Sequence, residues 1–309
     1  MIRVQNLTKR YGKRLAVDGV SFTVEPGRVT GFLGPNGAGK STTMRMIVGL
    51  ARPTTGSATL NGREYRHLPG PLRDVGALLD ARSAHRGRTA YKHLLSLAAT
   101  HGIGKARVHE VIGLAGLESV AHRRVGGFSL GMGQRLGIAA ALLGDPRIVI
   151  LDEPVNGLDP EGIIWIRSLL RGLAEDGRTV LLSSHLMSEM TQTADHLIVI
   201  GRGRILADGP LHDVVSQATG DAVRVRTPDV QALIQAVDRR ATTITLTPDG
   251  ALEISGLSPA QVAEAAGSAG VVLHELTPLR GSLEAAYLSL TAEAVEYRAN
   301  TAEANGTNA

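Results

Sequence analysis

The stretch VTGFLGPNGAGKSTTMRMIVGL, residues 29–50, decides the fold. An apolar run of strand length ends in Gly34-Pro35-Asn36-Gly37-Ala38-Gly39-Lys40-Ser41-Thr42, and a helix-patterned segment follows at once. The spacing fits G-x-x-x-x-G-K-[ST] in the strand, loop and helix setting that gives this pattern its meaning. Glycines let backbone N–H groups curl around phosphate oxygens, and the helix start adds partial positive charge. Lys40 is expected to bridge the β- and γ-phosphates of a nucleotide and the Ser41 hydroxyl to ligate Mg²⁺. A chance glycine-rich turn is the competing reading, and the flanking strand and helix weigh against it.

Outward from this loop, short apolar runs recur at 147–152 (RIVILD), 178–185 (RTVLLSSH) and 196–203 (HLIVIGRG), with helix-like stretches between them. This pattern over residues 1–215 predicts an α/β fold with a mostly parallel sheet and a helical subdomain at about 80–145. Composition agrees: 43% of the 309 residues are hydrophobic but only 3% aromatic, so Leu, Val, Ile and Ala must build the core. The absence of Cys excludes disulfide frameworks, thiolate metal sites and cysteine nucleophiles. No run approaches the roughly 18 to 20 apolar residues of a membrane-spanning helix, and MIRVQNLTKRYGK lacks the apolar core of a secretion signal.

Charge is divided. Residues 216–309 carry six Arg, no Lys and 11 acidic residues, which leaves residues 1–215 at net +9 in a chain of net +4. The basic part should attract anions, and nucleotide phosphates are the economical choice. No Lys/Arg-dense block with interleaved aromatics suggests a nucleic-acid partner.

After residue 215 the pattern changes to AVRVR (222–226), a helical PDVQALIQAV (228–237), two alternating strands around Pro248-Asp249-Gly250, a helix opened by Ser258-Pro259-Ala260-Gln261, and a strand at 271–276. The order βαββαβ predicts a small α+β domain of ferredoxin-like plan over 216–295. Its closing helix is expected at 282–295, before a polar, disordered tail at 296–309.

Further chemistry lies at Asp152 and Glu153, two carboxylates at the end of a buried strand, where ligands of open α/β sheets bind. Asp152 suits the Mg²⁺ shell, and Glu153 suits the activation of a water for attack on the γ-phosphate. A solvated turn after a strand is the alternative for each taken alone. Together with SLGMGQR (129–135), NGLDP (156–160) and SSH (183–185), in this order, these motifs make residues 1–215 resemble the ATP-binding subunit of an ABC transporter. With its appended domain after about residue 215, the chain resembles the ATP-binding subunits of the daunorubicin- and bacitracin-type (ABC-2) resistance exporters.

The resemblance implies ATP and Mg²⁺ as cofactors, a homodimer of cassettes, a separate integral-membrane permease and a peripheral location on the cytoplasmic face of the plasma membrane. It further implies that Ser129, Leu130, Gly131 and Met132 contact ATP held by the opposite copy, and that Asp159 couples the two sites. His185 would touch the γ-phosphate, although a surface turn is its simpler reading in isolation. Tyr11 would stack on adenine, against the reading of an ordinary surface tyrosine.

Two departures stand out. Leu130 replaces the first Gly and Met132 the Gln of the usual LSGGQ signature, and Asp80 aligns where similar cassettes place a Gln near Mg²⁺. Asp80 is one methylene shorter and charged, which makes its contact with Mg²⁺ doubtful. The rival functions are a soluble cassette acting on nucleic acid or the ribosome, an importer cassette, and a module that binds nucleotide without turnover. Met44, Met46, Met187 and Met190 are read as core filling.

Overall fold

The computed structural model describes residues 1–80, 83–219, 222–238, 240–279 and 281–291. The expected tail at 296–309 and the final residues of the expected closing helix, 292–295, lie outside the described residues. The chain divides into two compact units, one built on Met1–Gly209 and the other on Pro210–Leu290.

The first unit opens with β1 (Ile2–Tyr11) and β2 (Arg14–Val24), an antiparallel pair joined by a tight turn that sets Tyr11 opposite Arg14. Next come β3 (Arg28–Leu33), α1 (Lys40–Ile47) and β4 (Thr55–Leu60). β4 does not join β3. It pairs antiparallel with β1 and completes a three-stranded sheet of order β2-β1-β4. The expectation of one mostly parallel sheet from Ile2 onward is therefore corrected for β1, β2 and β4 alone, since β3 between them joins the parallel sheet. The sequence gives the physical reason: β1 buries Ile2, Val4 and Leu7 and exposes Arg3 and Gln5 between them, the one-sided pattern of an antiparallel sheet.

A short α2 (Pro71–Asp74) leads into β5 (Val75–Leu78), followed by three helices, α3 (Ala90–Thr100), α4 (Lys105–Leu114) and α5 (Leu130–Leu142). Then β6 (Ile148–Asp152), α6 (Pro160–Glu175), β7 (Thr179–Ser184), α7 (Met187–Thr193), β8 (His196–Gly201) and β9 (Arg204–Pro210) complete the unit. The large sheet has the order β5-β6-β7-β3-β8-β9, with parallel pairing from β5 through β8. Every residue of β7 and β8 is buried, as strands covered on both faces require.

The two sheets enclose one apolar core, where Phe22 of β2 and Phe32 of β3 bring their rings to 5.5 Å. Met44, Met46 and Met190 fill core space as expected, while Met187 is only half-buried. Among the described residues no helix is long and apolar enough to cross a membrane.

The second unit starts with α8 (Leu211–Thr219) and continues through β10 (Ala222–Arg226), α9 (Val230–Val237), β11 (Thr243–Leu246) and β12 (Leu252–Ser255). It ends with α10 (Pro259–Ser268), β13 (Glu275–Leu279) and α11 (Leu283–Thr291). The strand order β11-β12-β10-β13, antiparallel throughout, is the ferredoxin-like arrangement. Ser258 and Gln261 form the expected capping box: Ser258 N–H donates to Gln261 Oε1 at 2.9 Å and Gln261 N–H to Ser258 Oγ at 3.3 Å.

The last strand is corrected from 271–276 to Glu275–Leu279. Val271 and Leu273 are apolar because they pack on the unit's core after α10, not because they alternate in a sheet. On β10, Val223 and Val225 are buried, while Arg224 and Arg226 both reach Asp249 and Glu275.

Candidate functional site

Strand β3 delivers Gly34, and the loop turns into α1 through Gly39, whose φ of 111° belongs to glycine. A Cβ there would stand 2.7 Å from the Ala16 carbonyl, so the loop could not close as it does with any other residue. Helix α1 begins without a side-chain cap, leaving its first N–H groups available to an anion. Lys40, only 6% exposed, donates from Nζ to the Gly34 carbonyl at 2.6 Å. Burial holds its ammonium below the ordinary lysine range, with Glu153 and Asp152 pulling in the opposite direction. A half-desolvated cation beside uncapped amides is chemically suited to phosphate oxygens.

Strand β6 ends at Asp152. Its Oδ1 accepts the Ser183 hydroxyl at 2.5 Å, and the Glu153 N–H donates to Ser183 Oγ at 3.0 Å and Ser183 O at 3.2 Å. Glu153 has a φ of 52°, a costly conformation for a residue other than glycine that neighbours must hold in place. They do so from both sides. Opposite Ser183, the buried Gln134 of α5 donates from Nε2 to the Glu153 carbonyl at 3.0 Å. Glu153 Oε2 lies 2.7 Å from His185 Nδ1, which donates when the ring carries its proton there, and it also accepts the His185 N–H at 3.3 Å.

Lys40, Asp152, Glu153 and Gln134 border one cleft of about 730 Å³. Of the residues singled out from sequence, Tyr11, Pro35, Asn36, Gly37, Gly39, Lys40, Ser41, Thr42, Asp80, Leu130, Asp152 and Glu153 line it. Gly34 and Ala38 are buried behind the loop, and His185 joins through Glu153. Tyr11 is 52% exposed, with Lys9 Nζ 4.9 Å from its ring centroid.

Ser129 lies outside the cleft and, with Leu130, lines a separate depression of about 320 Å³. Its Oγ accepts the Met132 N–H at 3.2 Å, which caps α5. Asp159 likewise caps α6 by accepting the Gly162 N–H at 2.8 Å. The starts of these two helices interlock: a Cβ on Gly131 would meet the Gly157 carbonyl at 2.6 Å, and one on Gly157 would meet Leu130 Cγ at 2.4 Å. Leu130, the departure from the usual signature, thus occupies the space left by Gly157.

Sequence reading missed Arg14, Asn156, Gln134 and Ser183 as parts of this site. Gln134 and Ser183 stood inside recognised motifs, so proximity in sequence was the available signal. Arg14 arrives from the β1–β2 turn, and no local pattern marks it.

A family model described as ABC transporter matches residues 17–156, and one described as Domain of unknown function (DUF8746) matches residues 221–284. The chain is 42% identical over 213 residues to the bacitracin transport ATP-binding protein BcrA of Bacillus licheniformis, covering 68% of this chain and 70% of that protein. It is 38% identical over 208 residues to the lantibiotic transport ATP-binding protein SrtF of Streptococcus pyogenes, covering 67% of this chain and 90% of that one. Among solved structures, the dimeric ATP-binding cassette MJ0796 bound to ADP and Pi gives a TM-score of 0.63 at 26% identity, over 68% of this chain and 99% of that chain.

The fold and the site define a nucleotide-binding ATPase of the cassette class. The chain belongs to the ATP-binding proteins of ABC transporters. Proteins of this class hydrolyse ATP, act as dimers and partner with membrane permease components.

Proposed function

We propose that this protein is the ATPase of an exporter for bacitracin- or lantibiotic-like amphipathic compounds, working as a pair of cassettes on the cytoplasmic face of the plasma membrane. The observation that carries the mechanism is the convergence of Lys40, Asp152 and Glu153 on a single cleft, with His185 joined to it through Glu153. Lys40 and the uncapped start of α1 hold the phosphates of ATP, and Tyr11 offers a ring face to adenine.

Ser41 and Asp152 would hold Mg²⁺, which supplies charge neutralisation at the phosphates when bound; a hydroxyl and a carboxylate are suitable hard oxygen donors. Asp80 borders the same cleft and contributes charge to its wall. Glu153 takes the proton of the attacking water, and His185 fixes the orientation of the receiving oxygen through the 2.7 Å contact.

Ser129, Leu130, Gly131 and Met132 face the nucleotide of the second copy, and Asp159 of the adjoining loop couples the two sites. ATP held between the copies favours their closed arrangement, and loss of the γ-phosphate releases it. The unit after Gly209 regulates or steadies the pair. Its deletion should alter the ATPase rate or dimerisation, and unchanged values of both, with unchanged transport, would remove that role.

Light scattering of Glu153→Gln with ATP tests the central claim. A dimer is expected at micromolar protein; a monomer with ATP bound, both alone and with its co-purified permease, overturns the role given to Ser129.

A further inference from the structure

The sheet of the second unit ends in two edge strands, β11 and β13, and they are built differently. β13 carries Glu275 and Pro278, a charge and a residue without an N–H, both of which oppose further strand pairing. β11 carries neither. Residues 242–247 read Thr-Thr-Ile-Thr-Leu-Thr, an uncharged run within residues 216–309, where six Arg stand against 11 acidic residues. Thr243 and Thr245 are exposed. Leu246 is 60% exposed on the same face of the strand from which Ile244 packs on the unit's core.

The pairing of β11 with β12 fixes which groups its outer side offers. Thr247 N–H donates to Ala251 O at 2.8 Å, and the antiparallel register continues with Leu246 opposite Leu252, Thr245 opposite Glu253 and Ile244 opposite Ile254. Hydrogen-bonded and non-hydrogen-bonded pairs alternate along such a ladder, so Thr245 turns its N–H and C=O toward β12 while Ile244 and Leu246 turn theirs outward. An antiparallel strand centred on Thr245 would meet these four groups. If that strand has the same sequence, Thr245 stands opposite Thr245, Ile244 opposite Leu246, and Thr243 opposite Thr247. Apolar side chains meet on one face and hydroxyls on the other. The strand is complementary to itself, which is what an isologous two-fold contact requires.

We infer that β11 of one copy pairs antiparallel with β11 of a second copy, joining their two sheets into one continuous sheet. The inference rests on the proposed pairing of cassettes and names the surface by which the second unit steadies it. An edge this short buries far less than the roughly 1,000 Å² of a self-sufficient interface. Pairing of the cassettes makes up the difference, because it holds the two second units at a local concentration on the order of millimolar. A strand from an unrelated protein has neither that tether nor the matched order of side chains. Two net-negative units also meet here through a run that carries no charge.

Because the chain has no Cys, a Thr245→Cys substitution reports the contact directly. A non-hydrogen-bonded antiparallel pair sets its Cα atoms about 4.5 Å apart, within disulfide reach. In the full chain carrying Glu153→Gln with ATP, mild oxidation should link most of the Thr245→Cys protein into covalent dimers. Ser268→Cys, at an exposed position of α10, should link at least about ten-fold less. Thr245→Lys sets like charges opposite each other and should weaken ATP-driven dimerisation by about five-fold, and mixing it with Thr245→Glu should restore the wild-type value. These side chains are exposed, so the thermal melt should stay that of the wild type. A dimer by light scattering in which Thr245→Cys links no more than Ser268→Cys overturns this inference and leaves the cassette pairing intact. A monomer with ATP bound, unlinked with and without the permease, overturns both. Equal dimerisation of wild type and Thr245→Lys, or a link from Thr245→Cys to a co-purified polypeptide in place of a second copy, overturns the strand pairing alone.

Discussion

The carboxylate pair at the end of β6 and the arginine–carboxylate network on β10 are both clusters of charge on a sheet, yet they differ in how their needs are met. In the second unit, Arg224 and Arg226 face Asp249 and Glu275 in matched numbers near the surface. The Thr247 hydroxyl first, then Arg224, lower the Asp249 pKa to about 2. Beside the end of β6, the buried Lys40 of α1 turns to the carbonyls of its own loop, and Glu153 sits in a left-handed backbone conformation. Satisfied charge is architecture. Charge tied to hydroxyl, imidazole and carbonyl partners in place of matched opposite charges, beside a strained backbone, can exchange those partners for a ligand.

The sharpest way to break this contrast is Glu153→Gln, which should retain nucleotide binding and lose at least about 100-fold in turnover. Single-turnover hydrolysis near the wild-type rate would deny the strained position its purpose. Lys40→Ala acts on binding instead: loss of a charge-assisted contact worth about 1.5–3 kcal/mol should weaken nucleotide affinity by roughly 10- to 100-fold. Equilibrium titration with a fluorescent nucleotide reads this, and unchanged affinity would count against the loop.

Gln134→Ala touches neither phosphate nor water in this scheme, yet it releases the Glu153 carbonyl. A turnover loss of up to about ten-fold with little change in affinity is expected from one hydrogen bond of ~1 kcal/mol. A change confined to KM would place Gln134 in binding rather than in holding Glu153.

The smallest effect belongs to the satisfied cluster. The folded pKa of Asp249 lies below the unfolded value of about 3.9, so its contribution is complete above about pH 4 and fades as pH falls toward 2. In Asp249→Asn that acid limb of stability should flatten. Parallel loss of melting temperature in both proteins between pH 4 and 2 would mean that the network contributes nothing.

Much of this was legible because local chemistry dictated it. The phosphate loop, the Asp152–Glu153 pair and the Ser258–Gln261 cap depend on short spacings that no tertiary context rewrites. What escaped reading depends on pairing. The sequence of β4 does not say that it will bond to β1 across 50 residues instead of joining the neighbouring β3. The strand expected at 271–276 moved because an apolar pair can serve a helix as readily as a sheet. Arg14 and Gln134 reach the cleft from separate elements, and only the folded chain brings them together.

The interlock of Gly131 with Gly157 and Leu130 has a mechanical consequence. Neither loop has room to shift without pushing the other, so a disturbance at one helix cap is transmitted as displacement rather than as a field. Such a linkage is indifferent to ionic strength. Communication between two bound nucleotides should persist in concentrated salt, under conditions that would silence any relay built from surface charge.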